Sequence, residues 1–398
     1  MAARVRILLV AATLAIAACA GQLTPGPTTS ATPTPAPTET ATATAPPSSP
    51  PAVAGSLGEA LIVAGPILRS IHFTDWAAIR ASVGAEELTG ASAFEDKAGA
   101  IRNEATLGGF GVSDLRTHAA DWGFDVFDLA WEAAVHSAGP LLWILRTRQG
   151  FDPALLTAKL EAYGFATEQL PRGVLWTGTL ENLQQGTRLL NNPVFLNTGL
   201  LDDGRTLVLS FGGADNVRAV LTDGPQPVAD LSVLSVAGLL DGPTVASIEA
   251  GDSCVGIAPT YAGLPDDLRA DVDELLAAAG PLGHYNALAV GYRRTPTTTG
   301  RIVMGYPEVG QAEADLDGRR SLAENGISAA SRVRYDERFF LLVGARVEDR
   351  AIVLDLSPVV LETPTPNPSA ITLVDDFLPR FLIGMIARRD MLFAACSE

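Results

Sequence analysis

The 398 residues carry 45 acidic side chains against 28 basic ones, for a formal charge of −17, and hydrophobic residues make up 47% of the chain. So acidic a surface repels phosphate backbones and anionic headgroups, which excludes nucleic-acid binding and charge-driven adhesion to a membrane. The length exceeds what one hydrophobic core comfortably fills, so one large domain or two smaller ones are expected.

Arg4 and Arg6 form a basic start, and 7–18 is an apolar run broken only by Thr13. Small residues precede Cys19, and this order of basic, apolar and small residues marks a secretory signal. The run is shorter than the ~20 residues a membrane-spanning helix needs. Ile16-Ala17-Ala18-Cys19 resembles the bacterial lipobox, in which the cysteine thiol accepts a diacylglycerol and becomes the new N-terminus. The resemblance implies a signal peptide over 1–18, lipidation at Cys19, and a cell-membrane protein anchored on the extracytoplasmic side by lipid. Two acyl chains give the stable anchoring that one chain does not. The alternative is an ordinary signal cleaved after Ala18, with Cys19 incidental. Removal of Arg4 and Arg6 loses two positive charges and takes −17 to −19.

Residues 22–52 are almost entirely Thr, Pro, Ala and Ser. Such a composition cannot bury enough apolar surface to offset ordering entropy, so 19–53 reads as a disordered tether. Extended at about 3.1 Å per residue, ~30 residues reach nearly 90 Å.

The folded body begins near Val53. Ile71-His72-Phe73 reads as a strand, and Thr74 as the N-cap of a helix through Val83 with Trp76, Ile79 and Val83 on one face. Residues 86–106 are polar and weakly helical in pattern. Trp122 to Glu132 leads into strands over 133–136 and 141–147 around Gly139-Pro140. Asp152-Pro153 opens a helix that buries Leu155, Leu156, Leu160 and Tyr163 and stops at Gly164. A strand over 174–178, an Asp203-Gly204 turn, a strand over 206–211 and a helix over 215–221 follow. An amphipathic helix is expected over 266–279, with Leu268, Val272, Leu275 and Leu276 on its apolar face. Strands over 288–292 and 301–306, a helix over 307–325, and strands over 339–347 and 351–356 complete the second half. Residues 358–368 are a Pro-rich loop, and 377–387 form an apolar helix too short to span a membrane.

Both halves thus read strand, strand, helix, strand, strand. The expected fold is α+β, mainly antiparallel sheets with packed helices, arranged as two pseudo-repeated ββαββ lobes over 54–240 and 241–398.

Cys254 and Cys396 remain after lipidation. In an oxidising compartment such a pair becomes a disulfide, worth on the order of 4–5 kcal/mol by the chain-entropy account. The competing reading is two buried free thiols.

Phe73-Thr74-Asp75-Trp76, Trp122-Gly123-Phe124-Asp125, Asp128 and Trp131-Glu132-Ala133 resemble features of exported, lipobox-bearing lipoproteins of GC-rich, actinomycete-type bacteria. The resemblance implies surface placement and a similar fold. It supplies no activity and no site residues.

No pattern implies a catalytic set, a cofactor or a metal. His72, His118, His136 and His284 have no ligand spacing, and no nucleophile elbow, His-Glu-x-x-His or Cys-x-x-Cys is present. Gly212-Gly213 sits between a strand and a helix like a phosphate cradle, but Asp215 already occupies the positive helix end. Asp202-Asp203, Asp266-Asp267 and Asp375-Asp376 lack the alternating spacing of a calcium loop; the last two pairs fit first helical turns. Trp122, Phe124, Phe127 and Trp131 are read two ways. Exposed, they make an aromatic shelf for a sugar or another flat ligand; buried, they fill the core, the default for large aromatics.

The leading expectation is a non-catalytic binding or envelope-accessory module. The alternatives are an exported hydrolase with a dispersed Ser/His/Asp or carboxylate site, and a solute-binding protein with a cleft between lobes. Apart from the membrane, the partner stays open among a small molecule, a glycan and a protein, and so does the oligomeric state.

Overall fold

Alternation along each strand decides the sheet. Leu207 and Leu209 bury on one face and Val208 on the other; Ile302 and Met304 oppose Val303, and Ile352 and Leu354 oppose Val353. Near-continuous apolar runs of this kind belong to strands covered on both faces. The computed structural model describes residues 53–82, 84–86, 115–137, 139–186, 193–251, 254, 261, 263–295, 297–359, 378, 382 and 390–397. They belong to one compact unit, Ser49–Glu398.

The first half contains α1 (Gly55–Val63), β1 (Ser70–Asp75), α2 (Trp76–Ser82), α3 (Leu115–Trp122), β2 (Leu129–His136) and β3 (Leu142–Thr147). It continues with α4 (Ala154–Ala162), β4 (Ala166–Leu170), β5 (Gly173–Thr177), α5 (Leu180–Gly186), β6 (Asn197–Leu201), β7 (Thr206–Ser210) and α6 (Ala214–Asp223). Helix α7 (Leu231–Gly238) leads into the second half, which contains β8 (Val245–Ala250), α8 (Asp266–Ala279), β9 (Ala287–Arg294) and β10 (Thr298–Gly305). It ends with α9 (Val309–Asn325), α10 (Tyr335–Arg338), β11 (Phe340–Glu348) and β12 (Ala351–Pro358).

The fold is α+β around a single 12-stranded sheet in the order β11-β12-β10-β9-β8-β1-β2-β3-β7-β6-β5-β4. Every pairing is antiparallel. The same threading occurs on each side of the β1–β8 pair. Strands β1, β2 and β3 form a meander, α4 crosses, and β7 returns to pair with β3. Strands β8, β9 and β10 form a second meander, α9 crosses, and β12 returns to pair with β10. The β4–β5 hairpin extends one edge only. Strands from both halves of the chain thus join one sheet, through the pairing of β1 with β8.

Helices α1, α6 and α7 cover one face, where Phe73, Ile144, Val208 and Ile248 share a core with Leu61, Val217 and Val236. The other face carries two cores. One gathers Trp76, Trp122, Phe124, Phe127 and Phe195; the other gathers Tyr285, Tyr306, Leu322, Tyr335 and Phe393.

Several elements differ from expectation for identifiable reasons. Thr74 lies inside β1, and Asp75 caps α2, its Oδ1 accepting from the Ala78 amide at 2.8 Å. Strand β2 starts at Leu129, before a bulge between Leu129 and Trp131 that sends these two side chains to opposite faces. Strand β4 is polar and solvent-exposed, which hides it from any hydrophobic pattern. Strand β8 joins the halves by pairing with β1 on one side and β9 on the other, a membership that no local pattern encodes. Leu155 is 59% exposed, not buried with Leu156 and Leu160. Leu378 and Leu382 are buried, and the rest of the expected helix over 377–387 lies outside the described residues. Residues 1–52, including Cys19 and the tether, most of 86–106, nearly all of 358–368, and Asp375-Asp376 lie outside the described residues.

Candidate functional site

Two buried polar hubs shape the second half. On α9, Ala312, Asp315, Arg319 and Leu322 share the inward face. Arg319 is fully buried: its Nη1 donates to the carbonyls of Phe393, at 2.9 Å, and Ala395, its Nη2 donates to Gly283 at 2.8 Å, and its Nε donates to the Tyr306 hydroxyl at 3.1 Å. Asp315 accepts from Tyr306 at 2.9 Å and from the Gly283 amide at 2.8 Å. A buried guanidinium needs this many acceptors, since an unpaired one is very costly. Here the acceptors tie the C-terminal segment to α9.

Cys254 and Cys396 close the clamp with a disulfide across 142 residues. Cys396 lies beside Arg319, whose Nη2 is 3.8 Å from its Sγ. His284, exposed, comes within the same small cluster.

The second hub is Asp390, 2% exposed. Its carboxylate accepts from Ser328 Oγ at 2.6 Å, the amides of Ala329 and Ala330 at 2.7 and 3.2 Å, and Tyr261 Oη at 3.2 Å. Burial, together with Asp390, pushes the phenols of Tyr261 and Tyr335 up, so both stay protonated donors. The loop is closed by Arg332 N to Ser328 O at 2.7 Å, and Arg332 takes a φ of 60°, the left-handed region.

Between this pinned loop and α8 runs a groove of about 470 Å³. That volume falls within the range of small-ligand sites, roughly 300–1,000 Å³. Its wall on α8 is Leu268, Asp271, Glu274, Leu275 and Ala278; across it stand Ile327, Arg332, Val333, Arg334 and Glu337. Helix α8 is held close because Gly318 of α9 has no side chain: a Cβ there would lie 2.6 Å from Ala279 O. Arg334 is engaged with Asp336 at 3.0 Å. Asp271, Glu274, Glu337 and Arg332 form no ion pair among the described residues. The lining thus offers an apolar floor, uncommitted carboxylates and one uncommitted cation, with no serine, cysteine or histidine in it. A smaller well of about 210 Å³ lies near Arg301 and Asp355, but these two already pair at 2.6 Å.

The aromatic group is core and not a shelf. Trp122 and Phe127 are 0% exposed, Phe124 1% and Trp131 2%. Trp122 stacks on Phe195 with ring centroids 3.7 Å apart, and Phe124 meets Phe151 edge-on. The Asp125 carboxylate accepts from Phe127 N while Asp128 accepts from Asp125 N, a reciprocal cap that turns Phe124 and Phe127 inward. Trp131 sits on the opposite face, its Nε1 donating to Glu59 at 3.0 Å. Large aromatics gain most by leaving water, and this stretch has the sheet to bury them against.

The other candidates resolve locally. His72 and His136 meet edge to face at 6.1 Å, and buried His118 donates from Nδ1 to Phe124 O at 2.7 Å. Gly212 packs on Pro140, where a Cβ would lie 2.4 Å from the proline Cβ, and Asp215 pairs with Arg218. Asp203 ties the β6–β7 turn through the Arg205 and Thr206 amides, while Asp266 and Asp267 stand in the first turn of α8. Neither hub nor the groove is legible in the sequence. The one available signal is a charge pair, Asp315 and Arg319, on the apolar stripe of α9.

No family model matches the chain, and no curated protein matches it. Among solved structures it is similar to crystal forms I, III and IV of TP0453. The TM-scores are 0.35, 0.38 and 0.37, each at 8% identity, covering 75% of this chain and 91–92% of that chain. Among the described residues no helix is long and apolar enough to cross a membrane.

Proposed function

We propose that the protein is an extracytoplasmic lipoprotein, anchored through Cys19, whose body is a non-catalytic binding module. Support for the placement comes from the lipobox resemblance, the Thr/Pro-rich tether and the Cys254–Cys396 disulfide, a bond that persists in oxidising compartments. The resemblance of Phe73-Thr74-Asp75-Trp76, Trp122-Gly123-Phe124-Asp125, Asp128 and Trp131-Glu132-Ala133 to exported lipoproteins supports the same reading. With an acidic surface that repels headgroups, the lipid does the anchoring and nucleic acid is no partner.

The observation that carries the binding reading is the groove beside α8, with a loop wall fixed on Asp390 and carboxylates that form no ion pair among the described residues. Three acids against one free arginine over an apolar floor suit a basic, partly apolar ligand such as a Lys/Leu peptide. The test has two arms. Metabolic labelling with a clickable fatty acid tags wild type, while Cys19→Ala loses the label and leaves the membrane fraction. Titration with Lys/Leu peptides shows binding that Glu274→Arg weakens at least tenfold at unchanged stability. Equal binding of Asp/Leu peptides, or none of either, overturns the groove assignment.

A further inference from the structure

We propose that the reduced protein holds a zinc-class divalent cation at Cys254, Cys396 and His284. One donor atom from each of these residues lies within 4.8 Å of the others. Donors at about 2.3 Å (sulfur) and 2.0–2.1 Å (nitrogen) around a tetrahedral ion stand roughly 3.5–3.8 Å apart, so opening the S–S bond brings this trio into range. Two cysteines and one histidine with an open fourth position form a recognised zinc donor set, and the exposure of His284 lets water take that position.

The scaffold that gathers the donors does not depend on the sulfur–sulfur bond. Ser397 N donates to Leu282 O at 3.0 Å and Leu282 N donates to Ser397 Oγ at 2.8 Å, fixing Cys396 beside His284. Arg319 holds Gly283 from one side and Phe393 and Ala395 from the other. Gly251 N, three positions before Cys254 in sequence, donates to the carbonyl of Asn286, two positions after His284, at 3.0 Å. Nη2 of Arg319, 3.8 Å from Cys396 Sγ, supplies an N–H to the thiolate. Two thiolates neutralise the ion, so the guanidinium faces a centre without net charge.

The chemistry balances simply. A dithiol reductant delivers two electrons and two protons to the Cys254–Cys396 bond and leaves as its own disulfide. Binding of Zn²⁺ then releases the two thiol protons to solvent, with no change in the metal's oxidation state. The disulfide and the metal are exclusive states of one site, and each joins residue 254 to residue 396.

Cobalt(II) is the probe. The full chain in detergent is divided into oxidised protein and protein reduced with a phosphine, which is then removed under nitrogen. The expected result is one equivalent of Co²⁺ in the reduced sample only, with thiolate-to-cobalt charge transfer in the near ultraviolet and tetrahedral visible bands, both displaced by Zn²⁺. Cys254→Ser should lose the charge-transfer intensity. His284→Ala should weaken binding at least tenfold and alter the visible bands, while the urea midpoint of its oxidised form matches the oxidised wild type. Equal uptake by oxidised protein, unchanged affinity in His284→Ala, or no thiolate band identifies the pair as a disulfide only. Loss of the native tryptophan fluorescence on reduction also overturns the proposal, since the scaffold would then fail to gather the donors.

Discussion

The Nη1 of Arg319 donates to the carbonyl oxygen of Phe393 at 2.9 Å, joining two residues 74 positions apart inside an apolar core. Around them the carbonyls of Ala395 and Gly283, the carboxylate of Asp315 and the hydroxyl of Tyr306 use up the remaining donors. Arg319→Leu strands these acceptors, and the loss should be about 3–5 kcal/mol, the usual range for breaking a buried charged network. Urea unfolding measures it. A loss below 1 kcal/mol would mean that the carbonyls find water instead.

Reduction of Cys254–Cys396 frees a loop of 142 residues. The chain-entropy account puts the stabilisation lost at about 5 kcal/mol, with the folded contacts unchanged. Metal-free Cys254→Ala/Cys396→Ala protein should show the same drop by urea titration, and equal stability of both forms would contradict it.

Trp122→Ala should cost about 3–5 kcal/mol, because the ring is fully buried and stacked on Phe195 and the surrounding strands cannot collapse into the space. Calorimetry reads this directly. A surface role would leave the melting temperature unchanged.

Burial pushes the Asp125 carboxyl up to about 6, against the pull of the Phe127 amide, from an ordinary 3.8. Ionising it in the fold is therefore unfavourable, and that penalty fades as pH falls from about 6 towards 3.8. His118 has the opposite slope. Burial brings its pKa down from 6.5 to about 4, so protonation of the unfolded chain withdraws stability across that window as pH falls. In wild type the two slopes oppose each other. Asp125→Asn keeps an acceptor for Phe127 and should add on the order of 2 kcal/mol near neutral pH. It should also fall more steeply than wild type between pH 6.5 and 4, since His118 then acts alone. Parallel profiles of urea midpoint against pH would refute the assignment.

Arg332 holds a φ of 60° that only glycine adopts freely. Arg332→Gly should raise stability slightly, by about 0.5–1 kcal/mol, while removing the unpaired cation from the groove. A destabilised variant would show that the arginine side chain supports the loop.

Strongly periodic elements are legible in the sequence. Helix α8 matches its expected span of 266–279, and strands β3, β9, β10, β11 and β12 fall within a few residues of expectation. Asp152 still supplies the first amide of α4 with an acceptor, at 2.9 Å, although Pro153 stands at the cap position. Strand β4 stayed hidden because an edge strand with both faces in water has no apolar signature, and β8 because its membership depends on pairing with β1 and β9.

What the sequence alone determined was local. Alternation, caps and glycine stops depend on neighbours a few positions away, and two cysteines in an otherwise thiol-poor body are enough to name a disulfide pair. What only the tertiary structure decided was convergence: Arg319 on Phe393, Asp390 on the 328–332 loop, His284 on the cysteines, and the aromatic stretch turned inward. Residues 62 to 142 positions apart meet because helices, loops and strands distant in sequence pack on one sheet, and no short-range pattern encodes that approach.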